Sequence, residues 1–448
     1  MKRNIMILIT VIASAFQLQA QTLSLDSCKH YALERNKQIK TARLSIHAAE
    51  ELKKNAYTNF FPKVNAQAAM MKTTENLIDT KTPETDLSVY DGNPDNLENA
   101  TQYAYVPSIE IKALDYLNVG MVTATEPVYA GGKIRTGYEL AGLSKDVSEQ
   151  ELVLSKEDVI VKTEEYYWNL VSLNAKRRTL ASYEKMLNSL LGDVSVSYEA
   201  GLTQKSDLLK VKMQLNQVEA DKLKLENGIT LTEMSLCQHI GIDYQGHLIL
   251  QDTTFSMIPP QMLYRQPDSI ISKRAEYKLL NKAVDAEVLQ QRITRADYLP
   301  QLAVGVAGQY LDVADQNNTF GIAFATLSIP ISDWWGGAHK LQEHEIRIDI
   351  AKINREDKAE MLKLQIERSY QQLTESYQQI RVAESSLQQA GEHLSVVTDN
   401  WKAGIMPTSD LLEAQAMYQK ARDNLVNTKS TYQISQTRYK QAVVQLQY

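Results

Sequence analysis

The chain has 448 residues and a net charge of −6 with 23% charged residues, which excludes a basic nucleic-acid binder and a disordered tail and points by length to two or three domains. Two cysteines and seven scattered histidines supply neither a disulfide scaffold nor a Cys/His zinc site. Mean hydropathy is −0.34, and beyond residue 20 no apolar run reaches the roughly 18 residues of a helical membrane span.

Lys2 and Arg3 precede an almost wholly apolar stretch from Ile5 to Phe16, and Ala20 offers a small residue for cleavage. Residues 1–20 read as a secretory signal peptide, with the mature chain starting near Gln21. The apolar run is too short for a membrane anchor, and no Cys marks a lipidation site. The mature protein is expected to work outside the cytoplasm, where ATP- or NAD-dependent chemistry is not expected.

The remaining elements occur twice, in the same order. Asn59-Phe-Phe-Pro-Lys-Val64 parallels Asp297-Tyr-Leu-Pro-Gln-Leu302, and each closes a helical pattern. Alternating segments follow, expected as strands at about 63–73 and 115–127 in the first repeat and 301–311 and 319–330 in the second. Leu302, Val304, Val306 and Tyr310 share one side of their segment; Phe320, Ile322 and Phe324 share one side of the next. Leu117, Val119 and Met121 oppose Asn118 and Gly120, and Val64, Ala66, Ala68 and Met70 oppose Asn65 and Gln67. Strands of about 9–12 residues fit a tilted membrane β-strand. Phe60, Phe61, Tyr129, Tyr298, Trp334 and Trp335 at their proline ends fit an interfacial aromatic girdle. Four strands cannot close a barrel, and lipid does not tolerate open edges, so several copies are required. Between the first two strands, an excursion from about Lys72 to Leu114 reads as a solvated loop or an external lid.

Each strand pair exits through Gly-Gly, at Gly131-Gly132 and Gly336-Gly337, into long helices. No proline lies between Pro127 and Pro259, and only Pro407 follows Pro330, which permits such helices. The segment Lys133–Tyr198 would reach on the order of 100 Å as one helix. Leu411, Tyr418, Leu425, Tyr432, Tyr439 and Leu446 recur every seven residues, beside a small-residue row through Ala414, Ala421 and Thr428. Ile366, Leu373, Ile380, Leu387, Leu394 and Trp401 do the same, as do Leu208, Leu215, Ile229 and Leu236, interrupted at Lys222. A strict seven-residue period implies left-handed coiled-coil packing.

The helix pairs turn through Tyr198-Glu-Ala-Gly-Leu-Thr-Gln-Lys-Ser-Asp-Leu-Leu209 and Trp401-Lys-Ala-Gly-Ile-Met-Pro-Thr-Ser-Asp-Leu-Leu412, identical at six of twelve positions. Gly201 and Gly404 suit a left-handed C′ position. Ser206 and Ser409 stand where N-caps belong, before Asp207 and Asp410. Asp410 and Glu413 share a helical face, either as a solvated face or as an acidic ring repeated by symmetry.

This ordered pattern resembles the TolC-like outer-membrane efflux protein family over essentially the whole mature chain. The resemblance implies a mainly α protein with a membrane β-barrel part: a homotrimer in which each tandem-repeat protomer gives four strands to a twelve-stranded barrel in outer-membrane lipid and coiled-coil helices to a periplasmic tunnel. It implies a first repeat over 21–241, an equatorial connector over 242–265 and a second repeat over 266–448. By the same resemblance the pore constriction falls on Asp410, Glu413, Trp401 and Asp207. Met406 stands where the family often has Arg. The turns Ala200-Gly201-Leu202 and Ala403-Gly404-Ile405 match those facing a periplasmic adaptor, which joins an inner-membrane pump.

Gly131-Gly132-Lys133 lacks the spacing of a phosphate loop, and no nucleophile–base pair, metal set or cofactor motif stands out. A non-enzyme without cofactor, metal or nucleic-acid partner is expected. Cys28 opens the first helix and Cys237 closes a later one; in an oxidising compartment they form either a disulfide or two buried thiols. The leading reading is an exit duct for small molecules in a tripartite pump. Type I protein secretion is the alternative, and a coiled-coil adhesive or structural surface protein is the alternative of another class.

Overall fold

The computed structural model describes residues 21–113, 115–255, 257–313 and 316–446. The signal peptide expected over 1–20 and Leu114 of the external excursion lie outside the described residues. In chain order the elements are β1 (Gln21–Leu23), α1 (Leu25–Arg35), α2 (Lys37–Tyr57), β2 (Lys63–Lys72), β3 (Ile78–Lys81), β4 (Thr85–Val89), β5 (Gln102–Val106), β6 (Glu110–Ala113), β7 (Tyr116–Ala130), α3 (Lys133–Glu199) and α4 (Lys205–Ile240). Then come β8 (Leu248–Leu250), α5 (Pro260–Leu263), α6 (Pro267–Ile270), α7 (Ala275–Asp297), β9 (Gln301–Val313), β10 (Gln316–Ser328), α8 (Trp334–Lys402) and α9 (Thr408–Ala442). They form two compact units. Glu51–Gly142 with Ala286–Ile348 make a sheet unit, and the other described residues make a helical unit.

The sheet has the order β10-β9-β7-β2, every neighbour antiparallel. Pro127 falls in a central strand, where it cannot donate to the ladder; the β7–β9 register shifts there, between Pro127 and Tyr129, as strand prolines require. The pairing also assigns the apolar rows to faces of the sheet. Val64 pairs with Ala124, Ala124 with Val306, and Val306 with Ala323. Side chains of directly paired residues lie on the same face. The apolar rows of β2 and β9 therefore share one face, while Leu117, Val119 and Met121 of β7 and Phe320, Ile322 and Phe324 of β10 lie on the other.

The aromatic residues gather at one end of this sheet, where β2 and β9 begin and β7 and β10 end. Tyr57 meets Phe61 edge-on at 5.3 Å and Tyr138 at 5.9 Å, and Trp334 Nε1 donates to the Tyr298 carbonyl at 2.8 Å. The two Gly-Gly pairs do different jobs. Gly131 and Gly132 take left-handed conformations, φ 61° and 85°. Gly337 instead lies inside α8, where a Cβ would come within 2.9 Å of the Tyr298 ring. At the other end of the sheet the excursion is not an irregular loop. β3 pairs with β6 and β4 with β5, extending the β2–β7 hairpin as a two-stranded arm.

The helical unit holds two large cores. Cys28, Ala32 and Ile39 pack with Val159, Tyr167, Leu170, Leu236 and Cys237. Gly241 ends α4 at φ 72°, against Arg35, where a Cβ would lie 2.7 Å from the Arg35 Cβ. β1 pairs in parallel with β8, so residues 21–23 join the connector, which the local sequence does not announce. The second core uses the heptad rows: Ile366, Leu373 and Ile380 of α8 meet Tyr432 and Tyr439 of α9. These tyrosines also explain why leucine would not serve. The Tyr432 hydroxyl donates to the Ile258 carbonyl, and the Tyr439 hydroxyl accepts from the Arg265 backbone N–H at 2.9 Å. Large apolar bodies with polar tips thus tie the connector to the coiled coil. The break at Lys222 is filled by an ion pair to Glu184 at 3.2 Å.

A polar seam joins α3 to α9. Thr179 donates to Asp423 at 2.7 Å, Ser430 to the Trp168 carbonyl at 3.0 Å, Arg438 pairs with Glu165 at 2.6 Å, and Gln441 donates to Asp158 at 3.0 Å. Thr437 donates to the buried Glu164, which also meets Lys29 at 2.5 Å.

Cys28 and Cys237 share the first core as free, buried thiols, not as a disulfide. Burial, and then Cys237, push the Cys28 thiol up to about 12; burial and Glu233 push Cys237 up to about 11. A raised thiol pKa means the neutral form is favoured in the fold, so this contribution to stability is present below pH 9 and is lost as pH rises through the folded values. At pH 8, iodoacetamide should leave both cysteines unmodified in the native protein and label both after unfolding, as read by peptide mass. In the second core, Leu373→Ala should cost about 2–5 kcal/mol, whereas Leu364→Ala on the exposed side should stay within about 0.5 kcal/mol. The shift in urea midpoint checks both.

Candidate functional site

The paired helical turns are the most distinctive surface feature of the helical unit. Both end a helix in the same way. Gly201 and Gly404 each take φ 72°. Leu202 N–H bonds the Ser197 carbonyl at 2.8 Å and Gly201 N–H that of Tyr198 at 3.0 Å; Ile405 and Gly404 repeat this at 2.9 Å with Asn400 and Trp401. That is the Schellman pattern. In it the residue after the glycine usually packs back on its helix. Here Leu202 and Ile405 are instead 82% and 73% exposed.

Behind these turns the two hairpins share one core. Leu190 and Val194 of α3, Val211 of α4, Val397 of α8, and Leu411 and Ala414 of α9 are buried together, with Trp401 and Met406 packed against them. Trp401 donates from Nε1 to Thr408 Oγ1 at 3.3 Å. Met406 is half-buried against this core. Ala200 and Ala403 are exposed beside their glycines.

The expected N-caps are displaced. Gln204 caps α4 and Pro407 caps α9, neither through its side chain, so Ser206 and Ser409 lie within the first turn. Asp207 is half-buried and accepts from Thr203 at 3.1 Å and Lys210 at 3.3 Å; it is engaged in local first-turn contacts. Asp410 and Glu413 are exposed, flanking the buried Leu411 and Ala414, and Asp410 accepts from the adjacent Ser409 at 3.1 Å.

One feature escaped the heptad reading. Leu209 and Met213 are exposed one turn apart on α4. Their spacing at i, i+4 was legible, but only the burial of neighbouring Val211 and Val218 shows which side is covered. No grouping of three His, Cys, Asp or Glu suited to a metal occurs among the described residues. His344 is buried, with Nε2 3.0 Å from Thr294 Oγ1.

Comparison with known proteins agrees with this architecture. The sequence pattern of outer membrane efflux proteins matches residues 30–241 and 273–443. The alkaline protease secretion protein AprF of Pseudomonas aeruginosa is 21% identical over 244 residues, 52% of this chain and 50% of that one. The chain thus aligns with about half the length of that curated relative. Among solved structures, the outer membrane protein VceC of Vibrio cholerae superposes with a TM-score of 0.69 at 16% identity, covering 94% of this chain and 95% of that one. The CmeC outer membrane channel of Campylobacter jejuni gives 0.71 at 15% identity, covering 94% and 85%. These likenesses show the fold. With the pattern matched across both repeats, the chain belongs to the outer membrane efflux protein family.

Proposed function

We propose that this protein is the exit duct of a tripartite efflux pump, passively conducting small molecules such as drugs and toxic compounds from an adaptor–pump complex across the periplasm and outer membrane. Three copies close the sheets into one barrel and arrange the helices as a periplasmic tunnel. The observation that carries this reading is the pair of matched turns with Leu202 and Ile405 exposed at the same position of each repeat. Exposed apolar residues at two equivalent apices suit docking of a protein partner, here a periplasmic adaptor touching Ala200-Gly201-Leu202 and Ala403-Gly404-Ile405. A type I protein-secretion channel is the second reading, favoured by the similarity to AprF. Deleting the gene separates the two: increased drug accumulation supports efflux, and loss of a secreted protein with unchanged drug accumulation supports secretion.

In the docking reading, Leu202→Glu with Ile405→Glu should leave conductance in planar bilayers unchanged while returning drug accumulation in cells to the level of the deletion strain. Accumulation equal to wild type would remove the tips from docking. Asp410 and Glu413, exposed and three residues apart, would form stacked carboxylate rings in a threefold assembly, with Trp401 and Asp207 nearby in the constriction. Rings of carboxylates favour cations. Asp410→Ala/Glu413→Ala channels should therefore show a reversal potential shifted toward non-selectivity in a salt gradient and weaker block by multivalent cations. An unshifted potential with unchanged block would place both carboxylates outside the pore.

A further inference from the structure

The two faces of the membrane sheet differ in a way that identifies which side each strand residue serves. Through the middle of the sheet one face carries Val64, Ala66, Val122, Ala124, Val306 and Ala323, with Glu126 toward one end and Asn118 and Asp312 toward the other. At interleaved positions the opposite face carries Asn65, Gln67, Thr123 and Gln309. In β9 the residues of the first face, Val304, Val306 and Tyr310, are exposed, whereas Ala303, Gly305 and Ala307 of the second are half-buried. That alternation fits a sheet curled with the first face convex. Closing a curled sheet puts the convex face outside, and a membrane barrel is apolar outside and polar inside.

Phe320, Ile322 and Phe324 of β10 stand on the concave face, which they share with Val119, Met121 and Leu311. Phe320 and Ile322 are 42% and 45% exposed. The Phe324 ring lies over Gly305, where a Cβ would come within 2.4 Å of Cζ, an aromatic covering a glycine across the strand pair. Its neighbours at this height, Ala303 and Ala307, are small, so the row rises from a low floor.

We propose that Phe320, Ile322 and Phe324 form an apolar contact strip on the lumen wall of the barrel, and that it takes the aromatic or branched apolar bodies of transiting organic solutes. This rests on the duct reading above, since a lumen exists only if copies close the sheet. An apolar wall in a water-filled passage gives such solutes surface to remove from water, while leaving inorganic ions unaffected. The strip thus sets the substrate class within the membrane segment as organic and partly apolar.

The test labels both sides of β10 in reconstituted proteoliposomes. A charged, membrane-impermeant methanethiosulfonate should modify Ile322→Cys and leave Ala323→Cys intact; the native thiols are buried. The reverse pattern, or failure to modify Ile322→Cys, overturns the assignment. In bilayers, tetraphenylphosphonium should block the wild-type current, and Phe320→Ser/Ile322→Ser should shorten the blocked time at least about tenfold, equivalent to about 1.4 kcal/mol, without altering potassium chloride conductance. Unchanged blocked times overturn the contact role. A wild-type protein that carries no current refutes the duct and with it the strip, whereas labelling needs no current and reports separately whether the face assignment failed.

Discussion

The unpaired edges of β2 and β10 dominate the physical logic of this protein. In the four-stranded sheet each central strand is paired on both sides, but β2 and β10 each leave one row of backbone N–H and C=O groups open. Water would satisfy these groups; hydrocarbon cannot, and each unsatisfied group there costs several kcal/mol. The alternating strand directions offer a remedy. β10 runs opposite to β2, so β10 of one copy can extend the antiparallel ladder onto β2 of the next. Duplication gives the chain two such hairpins in matching orientation, which is the simplest origin of a sheet that repeats around an axis.

The helical unit separates two kinds of contact. Apolar heptad rows, with Leu373 and Tyr432 as examples, provide burial and tolerate few losses of volume. The α3–α9 seam is instead a ladder of specific hydrogen bonds and ion pairs, from Gln441 and Asp158 to Asp423 and Thr179. Such pairs add little net stability where exposed, but a shift by one residue would leave the buried Glu164 and Thr437 unmatched, so the seam favours a single register between first and last long helices. Tyrosine rather than leucine at 432 and 439 connects both kinds, with a buried ring and a hydroxyl that holds the connector.

Much of this was legible in the sequence because it is local. The repeat, the helix–proline junctions at Pro62 and Pro300, the seven-residue spacing and the left-handed Gly201 and Gly404 all follow from short-range chemistry. What was not legible depends on partners distant in sequence. Alternation in a strand defines two sides but not which side faces what; that is a property of register, so the apolar rows of β7 and β10 could not be placed beforehand. The pairing of β1 with β8 brings together residues more than two hundred apart, and Ser206 and Ser409 looked like caps because the serine is right and only its position is off. At the tips the turn geometry was readable, whereas the exposure of Leu202 and Ile405 required knowing that the core behind them is filled by Val211, Leu411 and Met406.

Closing the sheet in lipid requires edge pairing between identical chains. Light scattering with detergent correction on the solubilised mature protein reads the number of chains directly. It should report three, since three copies of four strands give an even, closed barrel of twelve. A stable monomer that retains its strand content would contradict it, because the open edges of β2 and β10 would then need no partner.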